Sequence, residues 1–184
     1  LGLSQRLEGE EMPIKIEGFS GGDRTNLNLP AVQEKLLDAI AATGKPVIVV
    51  LTSGGAISAN NAQEKAAAIL LAGYGGQQGG NAVADVIFGD YNPAGRLPVT
   101  YYKSIEQIPA FENYDMAGKT YRFFTQEPLY PFGYGLSYTT FSYGNLSIPG
   151  SVTAGEKVTV KVTVTNTGKA EGEEVVQLYL NDEK

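Results

Sequence analysis

Pro46-Val47-Ile48-Val49-Val50-Leu51-Thr52 is a short continuous apolar run, closed by Ser53-Gly54-Gly55. Such a run reads as a strand buried on both faces, which belongs in a parallel sheet with helices on both sides. Its neighbours agree. Upstream, Val32, Leu36, Leu37 and Ile40 recur at helical spacing behind Pro30, whose fixed φ suits a helix start, and Gly44 suits the position past the helix end. Further back, Leu1-Gly2-Leu3-Ser4 reads as the end of a strand. Downstream, Asn60 to Ala68 forms a short helix, Ile69-Leu70-Leu71-Ala72 a second buried strand, Asn81 to Phe88 a helix stopped by Gly89, and Leu97 to Tyr102 a further strand. This alternation predicts a layered α/β sandwich with a mostly parallel sheet over residues 1–102.

The pattern then changes twice. Residues 103–141 read as a connector rich in aromatics, among them Phe111, Tyr114, Tyr121, Phe124, Tyr130 and Phe132. A long irregular segment of that composition is expected to pack against something, since it otherwise exposes a large apolar surface. Over residues 142–184 the period becomes two: Val158, Val160, Val162 and Val164 alternate with Thr and Lys, Asn166-Thr167-Gly168 makes a turn, and Val176, Leu178 and Leu180 alternate again. This predicts an antiparallel β-sandwich, incomplete at Lys184 because a whole one takes roughly 100 residues.

Composition narrows the chemistry. The 184 residues are 42% hydrophobic, enough for a real core. A net charge of −6 argues against nucleic acid and anionic membrane partners, and no run of about 18 apolar residues offers a membrane span. The first residue is Leu1 and no signal peptide precedes it, so the start reads as a cut or an internal boundary; the sequence leaves the location unknown, with periplasmic or secreted favoured and cytoplasmic still open. There is no Cys and no His, which removes thiolate chemistry, Ser-His-Asp triads and most zinc sites. Acid–base catalysis from this chain therefore rests on Asp, Glu, Tyr or Lys.

Glu8, Glu10, Glu11 and Glu17 lie in a Gly-flanked loop, Gln5 to Arg24, just after a strand end. Ligands of open parallel sheets gather at the carboxyl ends of strands, so the location suits function, although exposed loop acids are the ordinary reading of such spacing. Other motifs carry less. Gly73 to Gly80 has no Gly-Lys-Ser/Thr to grip phosphate and reads as a tight strand-to-helix turn, which disfavours a nucleotide-binding protein. Ser53 has no base beside it and makes a poor nucleophile. Arg96, in Asn92-Pro93-Ala94-Gly95-Arg96, reads as a structural pairing partner.

Two longer strings go further. Gly73-Tyr74-Gly75-Gly76-Gln77-Gln78-Gly79-Gly80-Asn81-Ala82, running on through Gly89-Asp90-Tyr91-Asn92-Pro93 to Thr100, and Tyr130-Pro131-Phe132-Gly133-Tyr134-Gly135-Leu136-Ser137-Tyr138-Thr139-Thr140-Phe141 together resemble the C-terminal half of glycoside hydrolase family 3, the retaining β-glucosidases and β-xylosidases. The resemblance runs from Leu3 to about Leu180 and implies an α/β-sandwich domain followed by a truncated fibronectin type III-like β-sandwich. It also implies a general acid/base in the string Leu7-Glu8-Gly9-Glu10-Glu11-Met12, which is followed by Gly22-Asp23-Arg24. Aligning Leu-Glu-x-Glu-x-Met puts that role on Glu10; Glu11 stands where the family usually has Gly, counting back from Gly18 favours Glu11, and Glu8 is the third candidate. Neighbouring acids raise a carboxyl's pKa, so Glu8 and Glu11 can keep Glu10 protonated at rest. Asp23 and Arg24 are expected to brace the loop by charge-assisted hydrogen bonds.

By the same resemblance, the Asp nucleophile sits on an N-terminal barrel missing from this chain. The implied activity is exo hydrolysis of β-linked glucose or xylose units from oligosaccharides or glycosides, with no metal or organic cofactor. The fragment alone is expected to be inactive. The alternative is a non-catalytic carbohydrate-binding or scaffolding module, which would bind cello- or xylo-oligosaccharide without the barrel.

Overall fold

The run at 46–52 forms strand β3 (Ile48–Leu51), whose backbone is engaged along both edges. On one edge it pairs in parallel with β4 (Ala68–Leu71), from Ile48 opposite Ala68 to Leu51 opposite Leu71. On the other, Gly2 makes a parallel bridge to Thr52, and Leu3 N–H donates to Thr52 O at 2.7 Å. The computed structural model describes residues 1–9 and 11–181. They fall into two units: Leu1–Asp85 with Leu97–Tyr134, and Val86–Arg96 with the residues from Gly135 onward. No helix among the described residues is long and apolar enough to cross a membrane.

In the first unit, parallel pairing requires a crossover, and α2 (Asn60–Lys65) supplies it between β3 and β4. Before β3 come a minimal hairpin, β1 (Phe19–Ser20) against β2 (Asp23–Arg24), and helix α1 (Ala31–Ala41). After β4, α3 (Gly79–Phe88) starts two residues earlier than the sequence pattern predicts. One core forms where Val49 and Leu51 of β3 meet Leu3, Leu29, Leu37 of α1, Ile57 and Ala62 of α2.

The expectation of a strand buried on both faces needs correcting. Val49 and Leu51 are each 3% exposed, but Ile48 is 47% exposed. Successive strand side chains point to opposite faces, and the core lies on the face of Val49 and Leu51. The stripe on α1 divides in the same way. Val32, Leu36 and Ile40 follow one line along the helix and stay exposed, whereas Leu37, about 100° around from Leu36, is the residue that is buried.

The strand expected at 97–102 is reduced to a single antiparallel bridge, Tyr101 to Tyr130, with Leu97 N–H donating to Tyr134 O at 2.8 Å. Pro98 and Pro131 each remove a backbone donor, which interrupts a ladder. Residues 103–141 include a 3₁₀ turn at Ile105–Gln107 and a short helix α4 (Thr120–Phe123). Tyr121 stacks on Phe132 at 4.4 Å between centroids and Tyr102 meets Phe124 edge-on at 4.9 Å, so part of the aromatic segment packs on itself. Phe111 and Tyr114 remain almost fully exposed in this chain.

In the second unit β5 (Phe141–Ser147) pairs antiparallel with β6 (Lys161–Asn166), with an irregularity between Gly144 and Ser147. Beside it Arg96 forms an ion pair with Glu174 at 3.1 Å and also donates to Ala94 O and Gly95 O, the structural role expected of it. Val158 and Val160 precede β6, and the alternation at Val176, Leu178 and Leu180 forms no strand among the described residues. A two-stranded ribbon has no second layer to cover its apolar face, and Val162 and Val164 stay exposed. The described residues thus hold three two-stranded sheets, one parallel and two antiparallel, in a small mixed α/β fold.

Urea unfolding of the chain should show Leu37→Ala losing about 2–5 kcal/mol, the usual result of emptying a buried leucine site, while Val32→Ala stays within about 0.5 kcal/mol. Hydrogen bonds from Lys65 and then Asn61 hold the Asp38 carboxyl below its ordinary range. A depressed carboxyl stabilises the fold above the free-Asp value near pH ~3.9 and loses that contribution as pH falls through the folded value. The stability difference between Asp38→Asn and the unsubstituted chain should therefore be present at neutral pH, small because the pair is exposed, and vanish in stronger acid.

Candidate functional site

The acidic loop meets the carboxyl ends of both parallel strands. Gly54 lies in the turn after β3 and Tyr74 in the turn after β4. Gly54 N–H donates to Glu8 Oε1 at 3.2 Å, and the Tyr74 hydroxyl donates to the same oxygen. Glu8 therefore ties the loop to two strand ends at once. Burial first, then the hydrogen bond and charge of Glu8, push the Tyr74 phenol above its ordinary pKa, which keeps it a donor at neutral pH. Ser53 is occupied elsewhere: its hydroxyl donates to Gly55 O at 2.7 Å and accepts from Gly55 N–H at 3.2 Å. Engaged in its own turn and without a base, it is no nucleophile.

A second tie runs through the β1–β2 hairpin. Met12 N–H donates to Gly21 O at 3.0 Å. Gly22 has φ +93°, and a Cβ there would lie 1.7 Å from Gly9 O, so only glycine lets the hairpin turn and the acidic loop approach so closely. At the hairpin's end Arg24 Nη1 donates to Ala56 O at 2.5 Å. Burial lowers the Arg24 pKa, opposed by the charge of Glu8 and, more weakly, by Tyr74 and the buried Tyr101; a guanidinium stays protonated regardless. Arg24 thus braces the site as expected, but through a backbone carbonyl. Asp23 is exposed and has no side-chain partner among the described residues, because the hairpin turns its carboxyl to solvent.

The candidate acids separate. Glu8 is half-buried and doubly hydrogen-bonded. Glu11 is exposed with its backbone at φ +53°, a conformation uncommon for a non-glycine residue. Glu17 is exposed, and Glu10 lies outside the described residues. The Gly73–Gly80 stretch is the tight turn expected: Gly73 has φ +60° and Gly79 N–H donates to Gly76 O at 3.0 Å. Sequence reasoning missed Tyr74 and the Gly54 amide. The signal was available, since both immediately follow strands read as parallel, where their carboxyl ends converge. A pocket of about 460 Å³ with a mixed lining, including Phe19, Leu29, Asn28, Glu34, Asp38 and Asn61, includes none of Glu8, Arg24, Gly54 or Tyr74.

Residues 1–138 match the glycosyl hydrolase family 3 C-terminal domain. The chain belongs to glycosyl hydrolase family 3. It is 52% identical over 181 residues to a xylan 1,4-β-xylosidase of Xylanibacter ruminicola, a match covering 98% of this chain and 21% of that protein. It is 44% identical over 187 residues to a periplasmic β-glucosidase of Salmonella typhimurium, covering 95% of this chain and 24% of that one. Among solved structures, a β-glucosidase of Erythrobacter marinus superposes with a TM-score of 0.69 at 42% identity over 80% of this chain and 20% of its own. A β-D-glucoside glucohydrolase of Trichoderma reesei gives 0.71 at 33% identity, covering 86% of this chain and 26% of that one. The chain therefore spans about a fifth to a quarter of the length of these family 3 relatives.

The two hairpin glycines give a direct check on the second tie. Gly21 has φ +60° and open space around its Cβ position, so Gly21→Ala should cost only the left-handed penalty of about 1–2 kcal/mol. Gly22→Ala should cost more and should speed hydrogen exchange at the Met12 amide, because the methyl group forces the loop off the hairpin.

Proposed function

We propose that this chain is the acid/base-bearing part of a retaining, exo-acting β-glycosidase, a β-glucosidase or β-xylosidase, that removes β-linked sugars from non-reducing ends of oligosaccharides and glycosides. The names of the family 3 relatives support the substrate class. The observation that carries the role of this chain is the pair of ties, Glu8 to Gly54 and Tyr74 on one side and Gly9 to Gly22 on the other, which fix the acidic loop at the strand ends. Glu10 follows Gly9 in sequence and is the general acid/base in this reading.

Two features support Glu10 over its neighbours. Glu8 Oε1 takes both donors, which anchors that side chain against the strand ends, whereas an acid must be free to aim its proton at the leaving oxygen. Glu11 is exposed, and its left-handed backbone is the kind of local strain that gathers beside functional groups. In the first step the Glu10 carboxyl gives its proton to the glycosidic oxygen as an Asp carboxylate, on the N-terminal barrel partner, attacks the anomeric carbon. In the second, Glu10 takes a proton from the water that releases the sugar. Retention requires the two carboxyls roughly 5–5.5 Å apart, and two carboxyls suffice without metal or cofactor.

In the same reading, β3, β4 and the Leu1–Leu3 segment belong to a larger, mostly parallel sheet of a layered α/β sandwich (1–102). The connector (103–141) follows, and β5–β6 begin a fibronectin type III-like sandwich (142–184). The parallel β3–α2–β4 unit and the antiparallel β5–β6 ribbon support these assignments.

The test uses the full-length enzyme carrying Glu10→Ala. Hydrolysis of a disaccharide should fall by about 10²–10⁴-fold. Loss on an aryl β-glycoside with a good leaving group should be milder, with rescue by azide. Unchanged rates on both substrates would move the role to Glu11 or Glu8. Silence at all three, with oligosaccharide binding by this chain alone, would make it a carbohydrate-binding module.

A further inference from the structure

We propose that Tyr74 is a positioning residue of the acid loop, acting through Glu8. The inference rests on the reading of Glu10 as acid/base and goes beyond it by naming what anchors Glu8, two residues earlier in the chain. Glu8 belongs to a long irregular loop, whereas Tyr74 lies in the short turn between β4 and α3. Its turn is held between the end of β4, paired along its length with β3, and the start of α3, with the Gly75 Cβ position 3.1 Å from Gly79 Cα. The Tyr74 hydroxyl transmits that fixed position to the Glu8 carboxylate, two residues before Glu10.

Gly54 completes the clamp. Its N–H donates to the same Glu8 oxygen, and a Cβ on it would lie 2.9 Å from Tyr74 Cε2 and 3.4 Å from Glu8 Oε1. Ring, carboxylate and turn are therefore in contact, and a side chain at position 54 would push on the Tyr74 ring. Arg24 provides the positive charge facing Glu8. A hydroxyl that only stabilised the fold would affect all substrates alike. A hydroxyl that places the acid matters most when the leaving group needs a proton, because misplacement by about 1 Å can cost 10²-fold.

The experiment uses the full-length enzyme with Tyr74→Phe, Glu8→Ala, the double variant, Gly54→Ala and Glu10→Ala. Each is assayed on xylobiose or cellobiose, whichever the unsubstituted enzyme cleaves faster, and on the matching 2,4-dinitrophenyl β-glycoside. Tyr74→Phe should lower kcat/KM on the disaccharide about tenfold. The dinitrophenyl glycoside should change less than about twofold, since its leaving group needs no proton. The double variant should be no worse than Glu8→Ala, because the two groups act as one unit. Gly54→Ala should reproduce the leaving-group dependence without altering either group. Equal losses on both substrates, or none, in Tyr74→Phe and Gly54→Ala would overturn the inference. If Glu10→Ala shows leaving-group dependence and azide rescue while Tyr74→Phe does not, only the role of Tyr74 falls. If Glu10→Ala shows neither, the acid/base reading falls and this inference with it.

Discussion

One oxygen of Glu8 joins three parts of the chain that the sequence keeps far apart. It takes a hydrogen bond from the Gly54 amide beyond β3 and another from the Tyr74 hydroxyl beyond β4. Ordering a loop such as Gln5–Arg24 opposes folding by about 1–2 kcal/mol of backbone entropy per residue, so few places can be fixed and each must count. Among the described residues, the loop is held by Glu8 against the strand ends and by the close approach of Gly9 to Gly22 of the hairpin, with Leu7 and Phe19 packed against the core. Both ties depend on β3, because the turn carrying Gly54 extends a strand paired along both edges. The Arg24–Ala56 hydrogen bond closes the hairpin onto the segment that follows that turn.

This arrangement fits the demands of two-carboxylate hydrolysis. In the proposed reading, one carboxyl must come within a few ångströms of a partner on another domain, so the loop bearing it would have to reach beyond its own sheet. Projection alone would leave the group in many positions. Glycines permit the sharp path, and hydrogen bonds from strand-end groups limit its freedom; Gly22 shows the first device and Glu8 the second.

Much of the first unit was legible. The continuous run at 46–52, the run at 69–72 and the apolar residues between Pro30 and Gly44 became β3, β4 and α1 with small shifts at their ends. The family was legible too, since the strings at 73–100 and 130–141 carry far more information than composition. What failed did so for physical reasons. Periodicity places residues on a stripe but does not say what covers it: Ile48, in a strand read as buried on both faces, is exposed, and so are Val32 and Leu36 of the helical stripe. Pro98 and Pro131 broke a strand that apolar content alone predicts. At the site, the charged residues drew attention to the loop, but the groups that hold it are an amide, a phenol and a carbonyl, which no charge pattern reveals. Tyr74 was hidden among glycines that invited comparison with phosphate loops.

The most direct measurement is a crystal structure of the full-length enzyme, its nucleophile replaced, with an intact disaccharide bound. The account predicts a Glu10 carboxyl oxygen about 3 Å from the glycosidic oxygen, within proton-transfer reach, with Glu8 still bound to Gly54 and Tyr74. Glu8 or Glu11 at the glycosidic oxygen, or a Glu8 detached from both strand ends in that complex, would contradict it.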